Sequence, residues 1–187
     1  MRKRDDEKQK NIKEAVIKLI LEQGFHGASI SKIAKEAGVS PATVYIYYEN
    51  KEIMLHEIYR EYSEEIFNHL LSKVRQKMNG KELIEIFVRS YYTYIQEHEE
   101  IFRFVDQFSS CPALANGCGE NEGIKDLNRL LDEMKKNNII KDFNNHNLIA
   151  IIFSPIKSIA VNHCIREEEK SKLLKEIIRI MQDALLL

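Results

Sequence analysis

Ser29-Ile30-Ser31-Lys32-Ile33-Ala34-Lys35-Glu36-Ala37-Gly38-Val39-Ser40-Pro41-Ala42-Thr43-Val44-Tyr45-Ile46-Tyr47-Tyr48-Glu49-Asn50-Lys51 is the stretch whose reading decides the fold. Ser29 or Ser31 can cap a short helix running to about Ala37, where Gly38 supplies a positive φ. Val39 plugs the turn. Ser40 then caps a second helix with Pro41 at its first position, where a missing N–H costs nothing. Ala34 and Ala37 are small, as two closely crossing helices require. The spacing predicts a helix-turn-helix whose second helix covers about Pro41 to Tyr47.

On that second helix Val44 and Tyr48 are expected to face the core, while Pro41, Ala42, Thr43, Tyr45 and Tyr47 point outward or sideways. Exposed phenols and a threonine suit a DNA groove, where hydroxyl donors reach phosphates and methyl groups meet thymine. The plainer alternative is packing against neighbouring helices. Packing is the expected role for Tyr48, and DNA contact the expected role for Tyr45 and Tyr47.

Upstream, Ile12, Ala15, Val16, Leu19 and Ile20 form one apolar stripe on a helix over residues 5–23, closed by Gly24 and Phe25. The basic residues Arg2, Lys3 and Arg4 before it are read either as a solvated N terminus or as an arm that touches phosphates. Residues 1–51 hold ten Lys and Arg against seven Asp and Glu, a net of +3; the remainder holds 18 against 22, a net of −4. A mildly positive head on a mildly negative body suits nucleic-acid binding confined to the head. A formal net charge of −1 argues against a general DNA-compaction protein.

The chain of 187 residues has only seven glycines and three prolines, and 44% of it is hydrophobic and 30% charged. That composition predicts a folded, all-α chain of about nine helices. Downstream of the head, a helix is expected from Lys51 to about Lys77, stopped by Asn79-Gly80, then helices over Lys81 to about His98, Glu99 to Ser109 and Ile124 to about Asn137. Two more follow, from His146 to about Arg166, kinked by Pro155, and from Glu167 to the end. The residues divide as a DNA-binding head, 1–52, and a regulatory helical domain for effector binding and dimerisation, 53–187.

No convergent nucleophile, base or metal set emerges, so the chain is not expected to be an enzyme, and no cofactor or metal is expected. His98, His146 and His163 are isolated, and Cys111 and Cys118 form a Cys-x6-Cys spacing typical of no metal site. Ser110 to Gly123, with Pro112, Gly117 and Gly119, is expected to be a mobile loop. No apolar run reaches the roughly 20 residues needed to cross a bilayer, and no secretory leader is read, so the expected place is the cytoplasm with no membrane partner.

From Gly24-Phe25 through Ser29, Ile33-Ala34, Ala37-Gly38-Val39-Ser40 and Thr43-Val44-Tyr45-Ile46-Tyr47-Tyr48 to Lys51, the sequence resembles the DNA-binding head of the TetR family of bacterial transcriptional regulators. The resemblance covers about residues 8–55. It implies that Thr43, Tyr47 and Lys51 hold phosphates, that Ser31, Ser40, Pro41, Ala42 and Tyr45 lie near base edges, and that Ser29 and Lys32 belong to the same interface. One departure is that these base-edge positions carry no Arg, Lys, Asn or Gln, so specificity must lean on apolar contact, thymine methyls and DNA shape.

The resemblance further implies a helix after the head that acts as a lever, an apolar effector cavity in the body, and a homodimer on a palindromic operator of double-stranded DNA. Candidate cavity residues are Tyr62, Ile66, Phe87, Tyr91, Tyr92, Phe102, Phe104, Val105, Phe108 and Phe153; on residue type alone they read as plain core. Candidate dimer residues on the last two helices are Ile149, Ile152, Ile156, Ile159, His163, Leu174, Ile178, Met181 and Leu185. The expected function is a repressor released by a hydrophobic small molecule. The alternatives are an activator with the same head and a non-enzymatic ligand-binding bundle.

Overall fold

A computed structural model describes residues 2–75, 78–109 and 122–187, with side chains from residue 6 onward. The predicted loop between the body helices lies almost entirely outside these residues, as do Cys111 and Cys118. Nine helices are present among the described residues: α1 Arg2–Gly27, α2 Ile30–Glu36, α3 Pro41–Tyr47, α4 Lys51–Ser72, α5 Gly80–Glu97, α6 Glu99–Ser109, α7 Glu122–Lys136, α8 Asn145–Ala160 and α9 Glu167–Leu185. The all-α expectation holds.

The head is built by its caps. Ser29 and Ser40 both sit in extended backbone before their helices, and each side chain accepts a backbone N–H three residues on, from Lys32 at 3.3 Å and Thr43 at 3.1 Å. Between them Gly38 takes φ 67°, a left-handed turn that an L side chain resists. Gly24 is the only break inside α1, at φ 71° and ψ 175°, where the sequence places the end of the first helix.

By internal contacts the chain forms two units, the first holding described residues up to Ser63 and Glu100–Ser109, the second Glu64–Glu99 and residues 122–187. In the first, Ile12, Val16 and Ile20 of α1 are buried with Ile33, Ala34, Val44, Tyr48, Met54, Ile58, Phe104 and Phe108. Phe108 is the centre of a ring cluster. It stacks on Tyr59 at 4.3 Å and meets Phe25 and His56 edge-on at 5.6 and 5.3 Å.

The second unit is organised on α5, which packs against α8 and α9. Leu83, Ile84, Phe87 and Val88 of α5 are buried, as are Leu148, Ile152 and Ile156 of α8 and Leu174, Ile178 and Met181 of α9. A chain segment crosses α5 at its start. A Cβ on Gly80 would lie 2.5 Å from Leu186 Cδ2 and 2.8 Å from Ile139 Cγ2, so any larger residue here would have to displace those two side chains.

Two helix ends differ from the sequence expectation, each for a local reason. α4 ends at Ser72, short of Lys77, and Asn79 does not stop it: Asn79 starts α5 through a capping box, accepting from Glu82 N at 2.9 Å while its own N–H donates to Glu82 Oε2 at 3.1 Å. α8 ends at Ala160 rather than near Arg166. The Ala160 carbonyl accepts from Gln96 Nε2 at 3.0 Å and from the buried Lys170 Nζ at 3.2 Å, and Asn162 Oδ1 accepts from Cys164 N at 2.9 Å, forming the turn beyond. His163 therefore lies in that turn, exposed, and not on the helix. Pro155 sits within α8 without dividing it into two elements.

Candidate nucleic-acid interface

Helix α3 owes its exposed side to its shortness. Seven residues cannot bury a wide stripe, and Val44 is its one fully buried side chain. A step of about 100° per residue puts Tyr45 and Ile46 away from Val44, and they are 56% and 78% exposed. Two large apolar side chains at such exposure form a surface suited to thymine methyls and to the sugar edges of a groove. Ile46 was missed by the sequence reasoning, although its offset of two from the core residue Val44 was enough to find it.

The remaining predicted positions fall on the same unit. Pro41 and Ala42 are exposed at the start of α3, and Ser31 and Lys32 are exposed on α2. Ser40 and Thr43 exchange a hydroxyl hydrogen bond at 2.9 Å, which orients both side chains at the first turn of α3. Tyr47 is half-buried against the head core, so packing as well as contact claims it. Tyr48 is buried, as expected, and burial pushes its hydroxyl up to about 12.

Two lysines carry internal bonds. Lys51 Nζ donates to the Phe25 carbonyl at 2.5 Å, tying the start of α4 to the end of α1, and Lys32 Nζ donates to Gln23 Oε1 at 2.7 Å and to the Gly27 carbonyl at 2.8 Å. Each ammonium carries three donors, so these bonds orient the cations and leave further N–H groups for phosphate.

The predicted effector residues divide between the two units. Tyr62, Phe102, Phe104, Val105 and Phe108 belong to the first, where Phe104 and Phe108 are fully buried core. Ile66, Phe87, Tyr91, Tyr92 and Phe153 belong to the second, where Phe153 meets Tyr91 at 4.9 Å and both Phe67 and Phe87 at 6.3 Å. Tyr92 is set apart from that group by a polar tie, its hydroxyl donating to Glu167 Oε2 at 2.8 Å. Burial first, then this carboxylate, pushes the Tyr92 hydroxyl up to about 12. A void of only about 10 Å³ lies among Phe87, Leu131, Ile152 and Leu185, so this part of the core is filled by its own side chains.

Of the predicted dimer residues, Ile152, Ile156, Leu174, Ile178, Met181 and Leu185 are buried within their own unit. Ile149 and Ile159 are partly exposed, and His163 is exposed with its Nε2 3.4 Å from Glu99. The large apolar side chains that α8 and α9 leave in solvent are Ile151 and Ile180, 44% and 50% exposed, with the exposed Ala150 next to the first and Ala184 four residues after the second. No group of three metal-ligating side chains, and no helix long and apolar enough to span a membrane, occurs among the described residues.

These features define a class: a helix-turn-helix DNA-binding head on an all-helical chain. Residues 12–58 match the family model of bacterial regulatory proteins, tetR family. The head is thus similar to the DNA-binding heads of the TetR family of bacterial regulatory proteins. It is 29% identical over 82 residues to the fatty acid metabolism regulator protein of Bacillus subtilis, covering 44% of this chain and 42% of that one. It is also 29% identical over 101 residues to the negative regulator IcaR of the biofilm operon in Staphylococcus epidermidis, covering 54% and 52%. Across the curated relatives it matches, the chain spans about half of their length. A solved TetR family transcription regulator from Marinobacter aquaeolei VT8 superposes with a TM-score of 0.79 at 26% identity, covering 100% of this chain and 99% of that one.

Proposed function

We propose that the chain is a homodimeric, ligand-responsive repressor that binds a palindromic operator through α3 and is released by a hydrophobic small molecule. The observation that carries the reading is the exposed face of α3, where Tyr45 and Ile46 stand clear of a helix fixed at both ends. Two-fold symmetric heads would sit in successive major grooves about 34–36 Å apart. Repression rather than activation is favoured by the relative whose name makes it a negative regulator. An apolar effector is favoured by the aromatic group around Phe153, and a relative named for fatty acid metabolism suits the same chemistry.

Dimerisation is assigned to the exposed side of α8 and α9, carried by Ile151, Ile180, Ile149 and Ile159, since their buried neighbours already complete the core of one unit. The head and regulatory body are taken to divide near residue 52, and a cytoplasmic location follows from operator binding. An effector acts only through unequal affinity for two conformers, one of which spaces the heads for both half-sites.

The test is fluorescence anisotropy with duplex DNA taken from upstream of the gene, scanned for an inverted repeat. Tight, salt-dependent binding by the intact chain is expected, lost in a Tyr45→Ala, Ile46→Ala double variant that keeps its helical circular dichroism. Equal binding by that variant would overturn the assignment of α3.

A further inference from the structure

The first unit holds an open groove of about 550 Å³ between α1, the end of α2, Tyr62 of α4 and the start of α6. It lies away from α3 in sequence and shares no residue with the aromatic group of the second unit. Its floor is apolar: Ala15, Ile17 and Ala37 are buried beneath it and Ile101 is half-buried. A cleft of this size matches the range that holds small organic ligands.

The rim fixes the charge such a ligand must carry. Lys10 pairs with Glu14 at 3.6 Å and Lys18 with Glu36 at 2.5 Å, so the four charges of those residues cancel in pairs. The fifth charged lining residue is Glu100 on the first turn of α6, and among the described residues no cation pairs with it. Lys18 senses the same field. Its ammonium is held above the ordinary lysine range, first by the hydrogen bond to Glu36 and then by coulombic attraction, with Glu22 and Glu100 adding to it. The half-buried Tyr62 supplies an aromatic wall, which favours a cation over a neutral body of equal shape.

We infer that this groove is a second ligand site, for a small organic cation with an apolar body, seated on Ala15, Ile17 and Ile101 with its charge between Glu100 and Tyr62. The ligand would touch both α6 and the end of α2, the helix that precedes the turn into α3. It thus offers an input inside the DNA-binding unit, separate from an effector bound in the second unit.

The experiment uses the full chain, ¹⁵N-labelled, titrated with benzyltrimethylammonium, its uncharged carbon isostere neopentylbenzene, and phenylmethanesulfonate as the anionic counterpart. The expected result is saturable shifts of amides near residues 14–18, 36–37 and 100–101, with the cation binding about tenfold more tightly than the neutral isostere and the anion not binding. Glu100→Gln, a surface change that should not disturb folding, is expected to remove most of that charge preference while leaving the isostere unaffected. Tyr62→Leu tests the aromatic wall in the same way. Equal affinity for cation and isostere, an unchanged preference in Glu100→Gln, or shifts confined to the second unit would each overturn the inference. None of these outcomes depends on whether the chain represses, activates or dimerises.

Discussion

Helix α3 and the pair α8 and α9 handle apolar side chains in opposite ways. α3 is seven residues long, buries Val44 alone, and leaves Tyr45 and Ile46 in water. α8 and α9 are long, bury a row of side chains against α5, and expose only isolated isoleucines at 151 and 180. In both places an exposed apolar residue stands directly beside a buried one in sequence: Tyr45 follows Val44, and Ile151 precedes Ile152. Function at a surface is therefore decided by about 100° of helix rotation. Residue type decides little of it.

That contrast can be broken most severely from its buried side. Phe108→Ala removes the ring at the centre of the first unit and is expected to cost about 3–5 kcal/mol, read as a lowered thermal or urea midpoint. Ile152→Ala should cost about 2–4 kcal/mol in the second unit, whereas Ile151→Ala, its exposed neighbour, should stay within about 0.5 kcal/mol. The pair sharpens further in sedimentation. Ile151→Asp with Ile180→Asp should convert the proposed dimer to monomer while each chain keeps its helicity, and a dimer that persists would move the interface elsewhere.

On α3 the expected effect is on DNA and not on folding. Ile46→Ala should weaken operator binding by about 1–2 kcal/mol, roughly tenfold, and most of that difference should vanish on a control duplex in which uracil replaces thymine. Its stability should be unchanged, because the side chain is already in solvent. Ser40→Ala is a smaller perturbation of the opposite kind. It removes the cap of α3 and the Thr43 hydrogen bond and should cost about 1 kcal/mol of stability.

Much of this is legible in the sequence. The caps Ser29 and Ser40, the glycine turn at Gly38 and the stripe of α1 are local signals, and they place the head helices to within a residue or two at most ends. The body was legible in its helices but not in its faces. α8 is apolar nearly all round, so choosing between Ile151 and Ile152 requires knowing where α5 lies, which is a long-range fact. The end of α8 was hidden for the same reason. Gln96 and Lys170, which satisfy the Ala160 carbonyl, stand 64 and 10 residues away in sequence. The aromatic candidates could not be sorted into two groups by composition, since each unit is rich in rings. The internal bonds of Lys32 and Lys51 likewise go to carbonyls at the end of α1, a proximity that no motif encodes.

The smallest expected effect is a pH dependence in the second unit. His69 on α4 lies 5.3 Å from the buried Tyr94 ring, which also sits 4.7 Å from His98 and donates its hydroxyl to Glu65 at 3.1 Å. The His69 imidazole is held below its ordinary value of 6.5, chiefly by burial and then by Lys73, with His98 acting in the same direction and Glu97 and Glu65 opposing. A histidine whose folded value is depressed is protonated more readily in the unfolded chain. Its contribution to stability is then intact above about 6.5 and is lost as the pH falls from there through the lowered folded value. Urea midpoints measured between pH 7.5 and 5 should fall towards acid, and the fall should be shallower in His69→Gln, which carries no titrating ring. Because the unfolded chains of both proteins share every other titrating group, the difference between the two slopes isolates His69. Parallel slopes would mean that the imidazole gains its proton as easily beside Tyr94 as it does in water.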